Sequence, residues 1–147
     1  MKATLLLRKD HDTLRALIEQ LRRPTRGTDR AAYLEQIRQE FRLHSQIERE
    51  LFYPELRNSS STKVQELTES AERQQDEINR LIDEVTEHSS GKRTEDQITA
   101  LFEKAGEYLE FEEEEIFEDA RQHLSEYKLE ELGLEMEERR RMLGRAA

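Results

Sequence analysis

The segment HSQIERELFYP, residues 44–54, places an imidazole and a carboxylate on the apolar face of a predicted helix. His44 and Glu48 are four residues apart, and residues four apart lie one above the other on a helix. The surrounding apolar residues follow the same spacing, so both side chains are predicted to face a hydrophobic core. Imidazole together with carboxylate suits iron, zinc or manganese. The segment by itself is a common and weak signal, and it indicates a metal site only if other helices place polar residues at the same level.

Three other stretches with helical spacing carry a polar residue at the corresponding point of their apolar stripe. His11 interrupts the first stripe, and Gln74 or Gln75 interrupts the third. The fourth stripe passes through Tyr108 and then Glu112. Each interruption lies near the middle of its helix, and helix midpoints share one level in an antiparallel bundle. These side chains are therefore predicted to form one polar layer in the core.

The energetics of such a layer favour a bound cation. Burying an unpaired ion costs several kcal/mol, and two adjacent carboxylates do not both ionise readily. The four stripes contain no Lys or Arg that would neutralise Glu48 and Glu112. A metal ion held by facing helices would do so. The plainer alternative for each residue taken alone is a hydrogen-bonded core side chain.

Four long helices and one further helix would position these residues. Apolar residues recur every three or four positions between clusters of helix-breaking residues at 23–28, 57–61 and 88–94. The spacing predicts helices at about 3–22, 30–56, 63–87 and 95–121, and a tail helix at about 125–142. Thr62 with Gln65, and Thr94 with Gln97, predict capping boxes. The predicted fold is all-α: an up-down-up-down four-helix bundle with an additional C-terminal helix, in a single domain over residues 1–147.

Composition narrows the classes of function. The formal net charge of -10 argues against a nucleic-acid-binding surface, which would be basic. Because the chain has no Cys, disulfides and thiolate metal sites are excluded. No apolar run is long enough for a signal peptide or a membrane span, so we expect no membrane partner and a cytoplasmic location. His88 and His123 lie outside the stripes and are predicted to be surface or packing residues.

The order and spacing of these motifs resemble the hemerythrin-like (HHE cation-binding) domain family. The segments that carry the resemblance are RKDHDTLRALIEQL, HSQIERELFYPEL, AERQQDEINRLIDEV and YLEFEEEEIFEDA. The resemblance implies that the metal ligands are His11, His44, Glu48 and Glu112. Two usual His positions differ, because Gln75 stands on the third helix and Tyr108 on the fourth.

In this family the histidines of the first two helices serve one iron of a di-iron pair, residues of the last two helices serve the other, and the two carboxylates bridge them. Three outcomes follow for this chain. The site holds one metal; or it holds two irons, with Tyr108 as a phenolate ligand and Gln75 as a weak ligand or outer partner; or metal binding is lost and hydrogen bonds satisfy the layer. In some members the acid is one residue later, which would nominate Glu113, but the helical phase favours Glu112.

The resemblance implies a non-haem iron protein, with one or two ions, that senses or handles a small diatomic or peroxide ligand: dioxygen, peroxide or nitric oxide. Manganese and zinc are alternative metals. The alternative function is a metal-free or weakly metallated helical bundle that acts as an interaction or regulatory module, with the charged tail helix as its contact surface. The pattern identifies no catalytic residue and leaves the oligomeric state open.

Overall fold

The computed structural model describes residues 1–23, 27–59, 62–85 and 91–146, and these ranges contain helices and no strand. The helices are α1 Ala3–Arg22, α2 Gly27–Ile47, α3 Tyr53–Ser59, α4 Thr62–Glu84, α5 Lys92–Phe111, α6 Phe117–His123 and α7 Glu126–Ala146. A first π-helical turn, Glu48–Phe52, joins α2 to α3, and a second, Glu112–Ile116, joins α5 to α6. The predicted all-α fold is confirmed.

The four long helices close into a bundle. In the order of the chain they are α1, the continuous α2–α3 rod, α4 and the continuous α5–α6 rod. Helix α1 packs against α2 and α5, and α4 packs against the same two neighbours on the other side. Buried apolar residues from all these helices and from α7 form one contiguous core. That core supports the single-domain prediction for residues 1–147, which stays a prediction.

The observed helix ends lie within four residues of the predicted ones. Helix α1 begins and ends at the predicted residues. The predicted capping box at Thr94 is wrong, because α5 begins at Lys92 and its N-cap is Gly91. Gly91 has a φ of 99°, which glycine adopts without the steric conflict that a Cβ would cause. Thr62 is itself the first residue of α4.

The two π turns change which residues face the core. A π turn contains one residue more than an α turn, so everything after it is rotated by about 100° around the helix axis. An uninterrupted helix would bury Leu51 beneath Glu48, yet Leu51 is only half-buried, whereas Phe52 and Tyr53 are fully buried. The first π turn therefore brings the Tyr53 side chain into the bundle.

The predicted tail helix is present as α7, which lies across α1, α2 and the first π turn. Its inward residues Leu129, Leu132 and Met136 are buried. At Gly133 the backbones are so close that a Cβ would lie 1.9 Å from the carbonyl oxygen of Met1. The start of the chain is therefore packed directly beneath α7.

Of the helices within the described ranges, none combines the length and the apolar character that crossing a lipid bilayer requires. The cytoplasmic location and the lack of nucleic-acid binding stay predictions of the sequence.

Candidate metal centre

The polar layer predicted from the sequence is present at the middle of the bundle. Each of the four long helical segments contributes at least one side chain to it, and all these side chains are fully buried, with no exposed surface: His11, His44, Glu48, Gln75, Tyr108 and Glu112. His88 lies outside the described residues. His123 ends α6 with more than a third of its side chain exposed, and its Nδ1 donates to the carbonyl oxygen of Asp119 at 2.9 Å.

Two imidazoles and one carboxylate converge most closely. The Nε2 atom of His11 lies 2.9 Å from Oε1 of Glu112, and the Nε2 atom of His44 lies 3.3 Å from the same oxygen. One potential ligand atom from each of the three residues lies within 4.8 Å of the other two. Glu48 is adjacent, with its Oε1 atom 3.0 Å from Nε2 of His44. These spacings suit a small cation between the side chains.

Each imidazole also has a carboxylate partner at Nδ1, the ring nitrogen that points away from Glu112. Oδ2 of Asp10 lies 3.0 Å from Nδ1 of His44, and Oε2 of Glu113 lies 2.6 Å from Nδ1 of His11. An arginine pairs with each carboxylate in turn: Arg140 contacts Asp10, and Arg15 lies 2.8 Å from Glu113. Metal-binding histidines typically have such outer partners, which fix the ring orientation and the tautomer.

The ionisation of the two outer carboxylates decides which ring nitrogen carries the proton. Burial by itself raises the pKa of Glu113, but hydrogen bonds from His11 and Arg15 outweigh it and lower this pKa to about 2. Burial likewise raises the pKa of Asp10, and His44 and Arg140 reverse the shift and hold it below its usual value. Ionised carboxylates only accept hydrogen bonds, so both Nδ1 atoms donate and both Nε2 atoms face Glu112.

Sequence reasoning missed Asp10 as an outer partner, although a signal was available. Asp10 is three residues after Leu7 and four before Leu14, so the spacing that selected His11 also places Asp10 near the buried face. From the sequence, Glu113 is only an alternative to Glu112 as the acidic metal ligand of the fourth helix. The structure places Glu112 in the layer and Glu113 behind His11, with a tenth of its side chain exposed.

The side of the layer formed by α4 and α5 is filled with hydrogen-bond donors. Nε of Arg49 donates to Oε1 of Gln75 at 2.7 Å, which identifies that atom as the amide oxygen and turns the NH₂ group inward. The NH₂ group lies 2.9 Å from Oε1 of Glu48 and 2.9 Å from the Tyr108 hydroxyl. Asp76 holds Arg49 at 2.9 Å from the other side. Gln75 therefore presents a donor, not an oxygen ligand, to the centre.

Two phenols complete this side of the layer. The Tyr108 hydroxyl donates to the carboxylates, with 2.9 Å to Oε1 of Glu48 and 3.1 Å to Oε2 of Glu112. The Tyr53 hydroxyl donates to Oε2 of Glu112. Burial, followed by the charges of Glu112 and Glu48, raises the pKa of both phenols well above 10. Both tyrosines are therefore protonated donors. Tyr53 could not be predicted from the sequence, because the π turn that rotates it inward leaves no mark in the apolar spacing.

Comparisons with known proteins agree with this geometry. The family model of the Hemerythrin HHE cation binding domain matches residues 3–120, which is most of the chain. The chain belongs to the hemerythrin HHE cation-binding family.

The bundle is also similar to the crystal structure of a hemerythrin HHE cation binding domain-containing protein from Mycobacterium kansasii, with a TM-score of 0.83. The match covers 97% of this chain and 86% of that one at 20% sequence identity, a level at which the likeness shows the fold. No curated protein gives a significant match. The fold and the coarser function predicted from the sequence, a cation-binding helical bundle, are thus confirmed.

The electrostatics of this hemerythrin domain favour positive charge between the two imidazoles. Burial lowers the pKa of His44, but the charge of Glu48 and a hydrogen bond with Asp10 outweigh it and hold this pKa well above 6.5. Burial and the charge of Glu112 raise the pKa of Glu48 well above 4.5. Burial opposes ionisation of Glu112 as well, but its interactions with Glu48 and with both imidazoles outweigh burial and hold its pKa well below 4.5. Protons and a metal ion would therefore compete for this centre.

One buried polar atom also supports the fit to a cation. Oε2 of Glu48 is fully buried and, among the described residues, has no hydrogen-bond partner. A buried acceptor without a partner costs about 1–3 kcal/mol. The donor set of two imidazoles and two carboxylates, one of which includes this free oxygen, is the chemistry that iron, manganese and zinc accept, so the residues present fit the cation that the family implies.

Proposed function

We propose that the protein binds one non-haem iron ion through His11, His44, Glu112 and Glu48, and that it senses or handles a small oxidant there: dioxygen, peroxide or nitric oxide. The observation that carries the proposal is the convergence of two Nε2 atoms on one carboxylate oxygen, at distances of 2.9 and 3.3 Å, in a site without solvent exposure.

The tautomers make that convergence informative. Asp10 and Glu113 each accept the Nδ1 proton of one imidazole, so a neutral ring directs a lone pair from Nε2. On His44 a proton supplies the positive charge in the metal-free chain, because its pKa is held well above 6.5; a bound cation would displace that proton. The field of these carboxylates, which raises the pKa of His44, attracts a metal ion for the same reason.

The donors on α4 and α5 favour one ion over two. In the family a second imidazole pair occupies the positions of Gln75 and Tyr108. Here Gln75 directs its NH₂ group inward and Tyr108 directs its hydroxyl to Glu48 and Glu112. These groups satisfy the carboxylates by hydrogen bonds instead of offering a second set of lone pairs. We therefore propose one ion in preference to the two-iron alternative with a Tyr108 phenolate.

The chain's own residues determine what the site accepts. Two His and two carboxylates that each bind through one oxygen would leave coordination positions of a non-haem iron ion open for dioxygen or a similar ligand. The ligand residues have no exposed surface, which restricts the site to diatomic or peroxide-sized molecules. Tyr53, Tyr108 and Gln75 hold the two carboxylates in place and supply hydrogen-bond donors beside them.

Elemental analysis after expression in iron-rich medium tests the proposal. Wild-type protein should carry close to one iron per chain. His44→Ala should carry far less, because it removes a buried ligand whose Nδ1 atom Asp10 holds in place. His123→Ala is the matched control, since His123 is a surface histidine, and it should retain the metal. Manganese or zinc in place of iron would correct the identity of the ion.

The competing function is the metal-free interaction module. It would be favoured if wild-type protein contained no metal and if neither His44→Ala nor a chelator changed the melting temperature. The exposed apolar residues Leu134 and Met142 of α7 would then be the first candidates for a contact surface.

A further inference from the structure

Helix α7 reaches the metal centre through one arginine. The Arg140 guanidinium contacts Oδ2 of Asp10, and the same oxygen accepts the Nδ1 proton of His44 at 3.0 Å. The three groups form a continuous path from the C-terminal helix to a proposed metal ligand. Asp10 is almost fully buried, with 6% of its surface exposed, so Arg140 and His44 together determine where its carboxylate lies.

The position of Arg140 is itself fixed by the packing of α7. Leu129, Leu132 and Met136 bury the inward face of the helix, and Gly133 allows it to lie directly on the Met1 backbone. The adjacent Arg139 pairs with Glu50 at 2.7 Å, and Glu50 belongs to the first π turn, which begins at Glu48. Helix α7 is thus connected to both the His44 and the Glu48 sides of the centre.

We propose that Arg140 is a positioning residue of the metal centre, acting through Asp10 to orient His44, and that α7 thereby helps to set the affinity for the metal. The proposal rests on the proposed function. Arg140 lies outside residues 3–120, the part of the chain that matches the hemerythrin family model. The helix would therefore contribute a component that the matched part of the chain does not contain.

The environment of Arg140 distinguishes it from an ordinary surface ion pair. Its Nε atom is buried and has no partner within the described ranges, an arrangement that is destabilising. Its other acidic neighbour, Glu40, is 4.0 Å away, so Asp10 is the closer and more buried partner. Arg141, the next residue, pairs along α7 with Glu138, and both side chains are more than half exposed.

The experiment compares Arg140→Met with Arg141→Met, which removes the same charge one residue away. Each variant is titrated anaerobically with Fe(II) against a chromophoric chelator, together with wild type and His44→Ala. Removing an outer partner of a metal-bound histidine typically weakens metal binding about 10–100-fold. We expect about tenfold weaker binding for Arg140→Met, a smaller loss for Arg140→Lys, and an unchanged affinity for Arg141→Met.

Two further readouts separate positioning from general destabilisation. Melting of the metal-free variants shows whether each one folds, and the visible ligand-field bands of the Co(II)-loaded variants report the geometry of the ligands. We expect Arg140→Met to shift the Co(II) bands and Arg141→Met to leave them unchanged. Asp10→Asn should reproduce the shift. The amide oxygen can still accept the hydrogen bond from Nδ1 of His44, but the amide has no negative charge to pair with Arg140. Asp10→Asn is the second test if Arg140→Met does not fold.

The outcomes are distinct. Tight Fe(II) binding by wild type and Arg140→Met alike, with loss in His44→Ala, would overturn the role of Arg140 and leave the proposed function intact. Weaker binding with unchanged Co(II) bands and an equal fall in metal-free stability would also overturn it, since α7 would then act only on folding. Absence of Fe(II) binding in wild type would overturn both proposals.

Discussion

Replacing Glu48 by Gln should affect the metal-free and the metal-loaded protein in opposite directions. Glu48 is fully buried. Its Oε1 atom accepts from Gln75 and Tyr108, each at 2.9 Å, and these bonds survive in an amide of the same shape. What Glu48→Gln removes is the charge, which burial and the neighbouring Glu112 disfavour. The metal-free variant should therefore be more stable than wild type at pH 7, although it has lost a proposed ligand.

The magnitude follows from the pKa of Glu48, which lies well above 4.5 in the folded chain. A group whose pKa is raised by folding contributes stability below its unfolded-state pKa and loses that contribution as the pH rises through its folded-state pKa. Each pH unit above 4.5 costs wild type at most about 1.4 kcal/mol, which limits the effect at pH 7 to about 3 kcal/mol. We expect a gain of about 1–3 kcal/mol, or roughly 3–10 °C for a chain of this size.

The assay is thermal unfolding followed by circular dichroism, with chelator-treated protein at pH 7 and pH 4 and with Fe(II) at pH 7. The gain in the variant should disappear at pH 4, where wild-type Glu48 is protonated in the unfolded chain as well. Fe(II) should raise the melting temperature of wild type much more than that of Glu48→Gln. Glu50→Gln is the control, because Glu50 lies in the same π turn but forms an exposed pair with Arg139. Loss of that pair should cost about 0–1 kcal/mol.

A metal-free Glu48→Gln variant that melts below wild type at pH 7 would contradict the prediction that the buried charge of Glu48 is destabilising. An equal response of both proteins to Fe(II) would show that Glu48 is not a ligand. A gain that persisted unchanged at pH 4 would show that the stabilisation has a cause other than the buried charge.

Three other predictions test the centre. Tyr108→Phe should retain one iron, and loss of the hydroxyl should lower the free energy of unfolding by about 2 kcal/mol. Iron-loaded wild type should show no tyrosinate-to-iron absorption band. A band that is present in wild type and absent from this variant would establish a phenolate ligand. Combining Gln75→His with Tyr108→His should raise the iron content from one to two per chain, because two imidazoles replace two hydrogen-bond donors. If elemental analysis shows no increase, the donors at Gln75 and Tyr108 are not what limits the site to one ion. Metal affinity should increase between pH 5 and pH 8, because protons on His44 and Glu48 compete with the ion, and a pH-independent affinity would contradict that competition.

The apolar spacing of the sequence was enough to predict the helices and four of the side chains in the buried polar layer. Apolar spacing is a local property, because residues three and four apart share a helix face whatever lies opposite. This is why α1 was predicted from its first residue to its last, and why His11, His44, Glu48 and Glu112 were assigned to one layer. The family followed from the order of the same residues along the chain.

Tertiary structure alone decided how those residues are connected. The π turns at Glu48 and Glu112 rotate the following residues and bring Tyr53 to the centre, and only the orientation of Arg49 shows that Gln75 offers its NH₂ group. The path from Arg140 through Asp10 to His44 depends on a contact between Arg140 and Asp10, which lie near opposite ends of the chain. Such contacts depend on distances between helices. The spacing of apolar residues within one helix carries no information about which side chain of a neighbouring helix lies opposite.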